Sequence, residues 1–211
     1  MKTITEKELN ELRERVAARL TPYRMAHTLG VEEMTRRLAA LFAPDDAPWL
    51  RAAALLHDVT KEESKERQLE LLKAGNVTLR PDEMASPKTW HAITAPLVIT
   101  AEFPDFATPP LLSAVRWHTT GRAGMTLGEA IIYLADYIEY GRKFADCTLL
   151  REMFWGQEPA KMDVAARHAH LCEVLLRSFD MTVADILSVG GTVCLDTLAA
   201  REDLKKRKTL A

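Results

Sequence analysis

Apolar residues recur three and four positions apart through most of the chain, and strict two-residue alternation is scarce, so helices are expected and strands are not. Thr5 and Glu8 form a capping-box pair that opens a first helix. A second starts with Thr21 as N-cap and Pro22 in its first turn. Its apolar stripe takes Val31, Met34, Leu38 and Leu41, and four residues back from Val31 lies His27. APDDAPWLRAAALLHD reads as a Pro-marked turn and a short apolar helix ending at His57 and Asp58. EESKERQLELLKAG gives an exposed helix stopped near Gly75, and SPKTWHAITAPLVITAEF a helix carrying His91 that Pro96 limits or kinks. TPPLLSAVRWHTTGRAG places His118 at a helix end before Gly121, and Thr126 with Glu129 boxes the start of the helix that holds Asp136. MDVAARHAHLCEVLLRSF and MTVADILSVG continue the helical pattern. With no repeat, low-complexity segment or linker, the expected fold is all-α and one domain.

The 211 residues suit a single domain, and a hydrophobic fraction of 47% is ample for one core. The 28 basic residues nearly balance 30 acidic ones, for a net charge of −2, which argues against a general pull on nucleic acid. Any phosphate site must then be local. The basic run at 204–208 reads as a solvated tail. Cys147, Cys172 and Cys194 form no CxxC pair, which fits a reducing cytosol rather than a disulfide framework or zinc ribbon. The charged, helical start of the chain is unlike a signal peptide, and no apolar run approaches the ~20 residues that span a bilayer. A soluble, cytoplasmic protein without membrane or nucleic-acid partners is expected; oligomeric state is open.

The candidate chemistry lies in His27, His57, Asp58, His91, His118 and Asp136. Helical bundles build metal sites by pointing such side chains inward from several helices. On a continuing helix His57 and Asp58 sit about 100° apart, so one ion off that edge reaches both, and a carboxylate can bridge two ions. Taken singly, each residue is equally explained as a hydrogen-bonded core histidine or a capping acid. His168 and His170 keep that explanation, because alternating positions on one helix face apart.

The order of the six residues is more telling. A His, a His-Asp pair 30 positions on (27 to 57) and a distant helical Asp resemble the pattern of the HD-domain metal-dependent phosphohydrolases. RMAHTLGVEEMTRRLA, AALLHDVTKE, HAITAPLVI and VRWHTTGRAGMTLGEAIIYLADYIEYGR, within 22–142, are similar to successive blocks of the YqeK family. That family comprises bacterial HD hydrolases described as symmetrical bis(5′-nucleosyl)-tetraphosphatases. Where its members usually read IEPxR, this chain has Ile138, Glu139, Tyr140, Gly141 and Arg142. The resemblance implies a helical-bundle HD core over 1–145 and a C-terminal helical extension, 146–211, packed on it. It implies a first metal on His27, His57, Asp58 and Asp136, and a second held by His91 and His118 with Asp58 bridging. Two divalent ions follow, iron by the resemblance, with manganese equally suited to mixed His and carboxylate ligands.

The implied reaction is hydrolysis of diadenosine tetraphosphate to two ADP by a hydroxide that the two ions activate. Asp58 and Lys61 are the catalytic candidates; Lys61 lies about one turn beyond Asp58 if the helix continues. Arg24, Arg142, Arg122 and Thr119 are the substrate-binding candidates, since guanidinium forks suit phosphate. Trp90, Trp117 and Tyr137 neighbour proposed ligands and are candidates to stack on a base, although such aromatics are more often core. Two alternatives stay open. One is an HD phosphohydrolase of another nucleotide mono- or polyphosphate, separable by a substrate panel. The other is a non-catalytic helical binding protein, which should have lost at least one ligand.

Overall fold

Local polar signals start the helices where the sequence places them. In the computed structural model, which describes residues 4–207 and 210, α1 (Glu6–Ala17) opens on the reciprocal Thr5–Glu8 capping box. Thr21 caps α2 (Pro22–Phe42) by accepting from the Arg24 N–H. A 3-10 turn over Pro44–Asp46 leads into α3 (Ala47–Leu56), in which Leu50 and every residue from Ala52 to Leu56 are fully buried. Each fully buried Leu contributes roughly 1.5–3 kcal/mol of transfer free energy. The alanines let neighbours approach closely, and α3 packs against α1 and α2.

The second half of the bundle closes over α3. α4 (Lys65–Ala74) lies on α6 (Trp90–Glu102), and α5 (Pro81–Met84) is a single turn between them. α7 (Pro109–Trp117) and α8 (Leu127–Ile138) pack on each other and on α3, and α8 also packs on α2. α8 opens on the Thr126–Glu129 box. α9 (Ala145–Gly156) rests on α8, α10 (Val164–Ser188) on α9, and α11 (Leu195–Leu204) on α10. The described residues form eleven α-helices and no strand, and no helix among them is long and apolar enough to cross a membrane.

Several expectations change in detail. The two helical stretches at 162–190 form one helix, α10, because no Gly or Pro interrupts residues 164–188. α6 runs through Pro96 instead of stopping there. Gly75 ends α4, but the left-handed residue that closes the turn is Asn76 (φ 53). α3 stops at Leu56 with His57 as its C-cap, and a turn closed by Lys61 N–H to Asp58 O (2.9 Å) replaces the helical continuation. His170 is a satisfied core histidine, bonded to Phe154 O at 3.0 Å and stacked on that ring. His168 meets Phe42 edge-on. The basic run is not wholly free, since Arg207 donates to Met125 O (3.1 Å) and pairs with Asp203; Lys208 lies outside the described residues.

Candidate metal centre

Five helical segments deliver the six candidate side chains to one buried place. α2 brings His27, the end of α3 brings His57 and Asp58, α6 brings His91, the end of α7 brings His118, and α8 brings Asp136. Asp58 stands between two groups. Its Oδ2 faces His57 Nε2 at 3.4 Å and His27 Nε2 at 3.8 Å, while its Oδ1 faces His91 Nε2 at 3.3 Å and His118 Nε2 at 3.7 Å. Asp136 Oδ1 completes the first group, 3.0 Å from His27 Nε2 and 3.9 Å from His57 Nε2. His91 Nε2 and His118 Nε2 are 3.1 Å apart in the second.

Backbone and carboxylate partners aim these rings. His57 Nδ1–H donates to Ala54 O (2.6 Å) and His118 Nδ1–H to Val115 O (2.7 Å), each three residues back at a helix end. His27 Nδ1–H donates to Glu139 Oε1 at 3.2 Å. Each Nε2 lone pair is thereby turned into the cluster, the arrangement that metal-ligating histidines adopt. Among the described residues buried His57 Nε2 has no hydrogen-bond partner, and His27 Nε2 faces the Asp136 and Asp58 carboxylates. An unsatisfied buried nitrogen is costly, and an ion would satisfy that of His57. The ligand atoms of His27, His57 and Asp136, and those of His57, Asp58 and His118, each lie within 4.8 Å of one another. Imidazole and carboxylate are the donors that divalent iron, manganese or zinc accepts, so the residues fit such ions.

The protonation states agree. Burial pushes the His91 and His118 imidazoles down, towards the neutral ligand form. Burial opposes ionisation of Asp58, yet His57, His118 and His91 hold it well below the ordinary carboxylate range. Burial likewise opposes Asp136, and Arg142 with His27 more than offsets it. His27 differs: burial lowers it, but Asp136 and Glu139 together raise it to about 9. Without an ion, a proton sits where a metal would.

The cationic candidates separate. Arg24 Nη1 donates to Asp58 Oδ2 (3.0 Å), and Arg142 donates to Asp136 O (2.5 Å) and Oδ1 (2.6 Å). Lys61 Nζ lies 3.2 Å from His91 Nε2, brought there by the turn, and burial lowers its pKa. Arg122 is not brought in: its guanidinium donates to Glu129 Oε1 (3.0 and 3.1 Å), and it lines neither cleft at the cluster. One cleft, of about 770 Å³, is lined by Lys61, His118, Thr119, Asp136, Tyr137 and Arg142 among others. A second, of about 730 Å³, takes Tyr23, Arg24, His27, Glu139 and Arg142. Tyr137 therefore faces a cleft, whereas Trp90 is core, its Nε1–H bonded to Glu83 O (2.7 Å). Trp117 lies under the Arg116 guanidinium (4.1 Å) and lines a separate cavity that holds none of the cluster.

Residues 24–141 match the family model of the HD domain. The chain belongs to the HD-domain family. Within it, the likeness is to YqeK-like hydrolases. The chain is 33% identical over 138 residues to the symmetrical bis(5′-nucleosyl)-tetraphosphatase of Bacillus subtilis, covering 65% of this chain and 73% of that one. It is 30% identical over 193 residues to the protein of the same name from Halalkalibacterium halodurans, covering 90% and 92%. A crystal structure of a predicted HD superfamily hydrolase involved in NAD metabolism, from Clostridium acetobutylicum, superposes with a TM-score of 0.80 at 30% identity, over 94% and 97% of the two chains. HD hydrolases are metal-dependent, and the buried His and Asp cluster matches that requirement.

The HD pattern does not include the residue that orients His27. Glu139 is 2% exposed, accepts from the Gly141 N–H at 2.5 Å as well as from His27, and stands against Gly30 of α2. The acid itself stands in the IEPxR-like stretch quoted above, but nothing in that stretch marks it as the partner of His27. Tyr140, where the YqeK-like pattern has a proline, also finds an account. Glu139 keeps the extended backbone (φ −58, ψ 150) that precedes a proline, and Arg37 and Arg151 flank the Tyr140 ring at 5.3 Å each.

Proposed function

We propose that this HD protein hydrolyses diadenosine tetraphosphate symmetrically, releasing two ADP, with two divalent ions, iron foremost, held by His27, His57, Asp58, His91, His118 and Asp136. The observation that carries the proposal is the position of Asp58, whose two oxygens address two separate histidine groups. When bound, such ions lower the pKa of a water to near neutrality and absorb charge on phosphoryl oxygens.

The chain's own residues supply the rest. Asp58 and Asp136, held ionised, offset the charge of the ions. Arg142 and Arg24 are each tied to one of these carboxylates and line the clefts, so their remaining donors suit the phosphate chain. Lys61 lines the larger cleft and offers an ammonium to a phosphate oxygen beside His91. Thr119 Oγ1, buried and without a partner among the described residues, is a further donor. Arg122, which pairs with Glu129 and lines neither cleft, is assigned no part. In the overall change a water oxygen joins one inner phosphorus, that phosphorus parts from the central bridging oxygen, and two ADP leave.

The test is a nucleotide panel with product identification, including NAD and nucleoside triphosphates, on protein purified under low oxygen. Two ADP from diadenosine tetraphosphate, lost in Asp58→Ala along with bound metal, is the expected result. AMP plus ATP, or turnover unchanged in Asp58→Ala, refutes it.

A further inference from the structure

The C-terminal helices lie beyond the HD match, yet they wall a pocket beside the larger cleft at the cluster. Between the 85–89 turn and the end of α10 is a pocket of about 340 Å³, walled largely by apolar atoms, with Pro87, Thr120, Ile186 and Thr197 among its residues. That volume is at the lower end of small-molecule sites, ~300–1,000 Å³. Thr119, Thr182 and Asp185 line both this pocket and the larger cleft that holds Lys61, His118, Asp136 and Arg142. These three polar residues therefore stand where the two spaces adjoin, the neck of the site.

We propose that this pocket receives one nucleoside of the substrate, its ribose at the neck and its base beyond, so that α10 and α11 complete the site. The proposal rests on the hydrolase function above and names where half of that substrate sits. Charge sorts the parts of a nucleotide along this path. Phosphates belong beside Lys61 and Arg142. The Asp185 carboxylate, which makes no hydrogen bond or ion pair among the described residues, repels phosphate and accepts from ribose hydroxyls. Acidic residues hold ribose diols in the same manner in dinucleotide-binding folds. Past the neck, Pro87 and Ile186 offer apolar contact to a base, and the threonines offer hydrogen bonds to its edge.

The walls are pinned in advance. Ser86 Oγ–H donates to Thr192 O (3.0 Å), Leu195 N–H to Asp82 Oδ2 (2.9 Å), and Arg80 pairs with Asp196 (2.5 Å). Gly190 takes a left-handed φ of 69° at the end of α10, and Gly191 N–H returns to Ile186 O (2.8 Å), fixing the residue that faces the base. A preformed wall reduces the ordering cost of binding.

The experiment compares wild type, Ile186→Trp, Asp185→Asn and, as control, Leu187→Ala, an exposed position outside the pocket. Each protein is checked for metal per chain and thermal midpoint, then for KM with diadenosine tetraphosphate, for ADP affinity by calorimetry and for the site of photolabelling by an azido-ADP. The expected result is at least a tenfold rise in KM and in the ADP dissociation constant for Ile186→Trp, a several-fold rise for Asp185→Asn, none for the control, and label within 85–89 or 182–197. A metal-loaded Ile186→Trp with wild-type ADP affinity, label confined to the cleft around Tyr23, or no ADP binding by the wild type overturns it. Calorimetry keeps the two proposals apart: a wild type that binds ADP in this pocket but does not split diadenosine tetraphosphate refutes the reaction and leaves the pocket standing.

Discussion

Glu139 reaches His27 because two glycines leave it room. A Cβ on Gly141 would come within 2.8 Å of Glu139 Oε2, and one on Gly30 would collide with the same carboxylate. Gly30→Ala therefore separates two effects that usually move together. Alanine is the better helix former by about 0.8–1 kcal/mol, so α2 itself should not weaken. The displaced carboxylate, however, no longer aims His27, and losses of outer partners cost roughly 10–100-fold in metal affinity or activity. Metal titration beside a denaturation curve is the measurement; unchanged metal affinity would mean that Glu139 does not orient the ring. The six cluster residues were legible from their types and order, whereas Glu139 meets a partner 112 positions away and no local pattern announces that contact.

Helix α8 shows which features of an element are readable in advance. Its capping box is a matter of four consecutive residues, and Thr126 and Glu129 close it as the sequence implies. Glu129 does more than cap: it is 1% exposed and also accepts from Ser113 Oγ–H (2.5 Å) and from Arg122. The Ser113 contact joins α8 to α7, that of Arg122 ties in the loop between them, and neither could be read from one segment alone. The Lys61 case is similar, since a turn rather than a helix carries it to His91. Thr126→Ala should cost about 1 kcal/mol, typical of a lost N-cap, and appears as a lower urea midpoint with unchanged slope. A loss near zero would mean that Glu129 alone sustains the start of α8.

For the whole molecule, the cluster makes stability depend on metal and on pH together. In the metal-free protein His27 is raised from 6.5 to about 9 by Asp136 and Glu139, against the pull of burial. A raised histidine stabilises fully below its unfolded pKa, and that contribution is lost as pH rises through the folded value. Chelated protein should therefore lose stability between about pH 6.5 and 9, whereas the loaded protein, with His27 committed to metal, should not show this decline. Loading itself should add about 2.7 kcal/mol at a free metal concentration 100 times the dissociation constant. Denaturation at several pH values, with and without chelator, checks both; the same decline persisting in the loaded protein would exclude His27 as a ligand.

The clamp between the 80–89 region and the start of α11 joins positions more than a hundred apart, as Arg80 and Asp196 do. On the ribosome this separation becomes a delay. Asp136, last of the cluster residues, precedes Asp196 by 60 positions in the chain, or about 3–12 seconds at ordinary elongation rates of ~5–20 residues per second. During that interval a nascent chain carries every proposed metal donor but lacks the wall proposed to receive a nucleoside. Metal capture can precede nucleotide capture simply through the direction of translation.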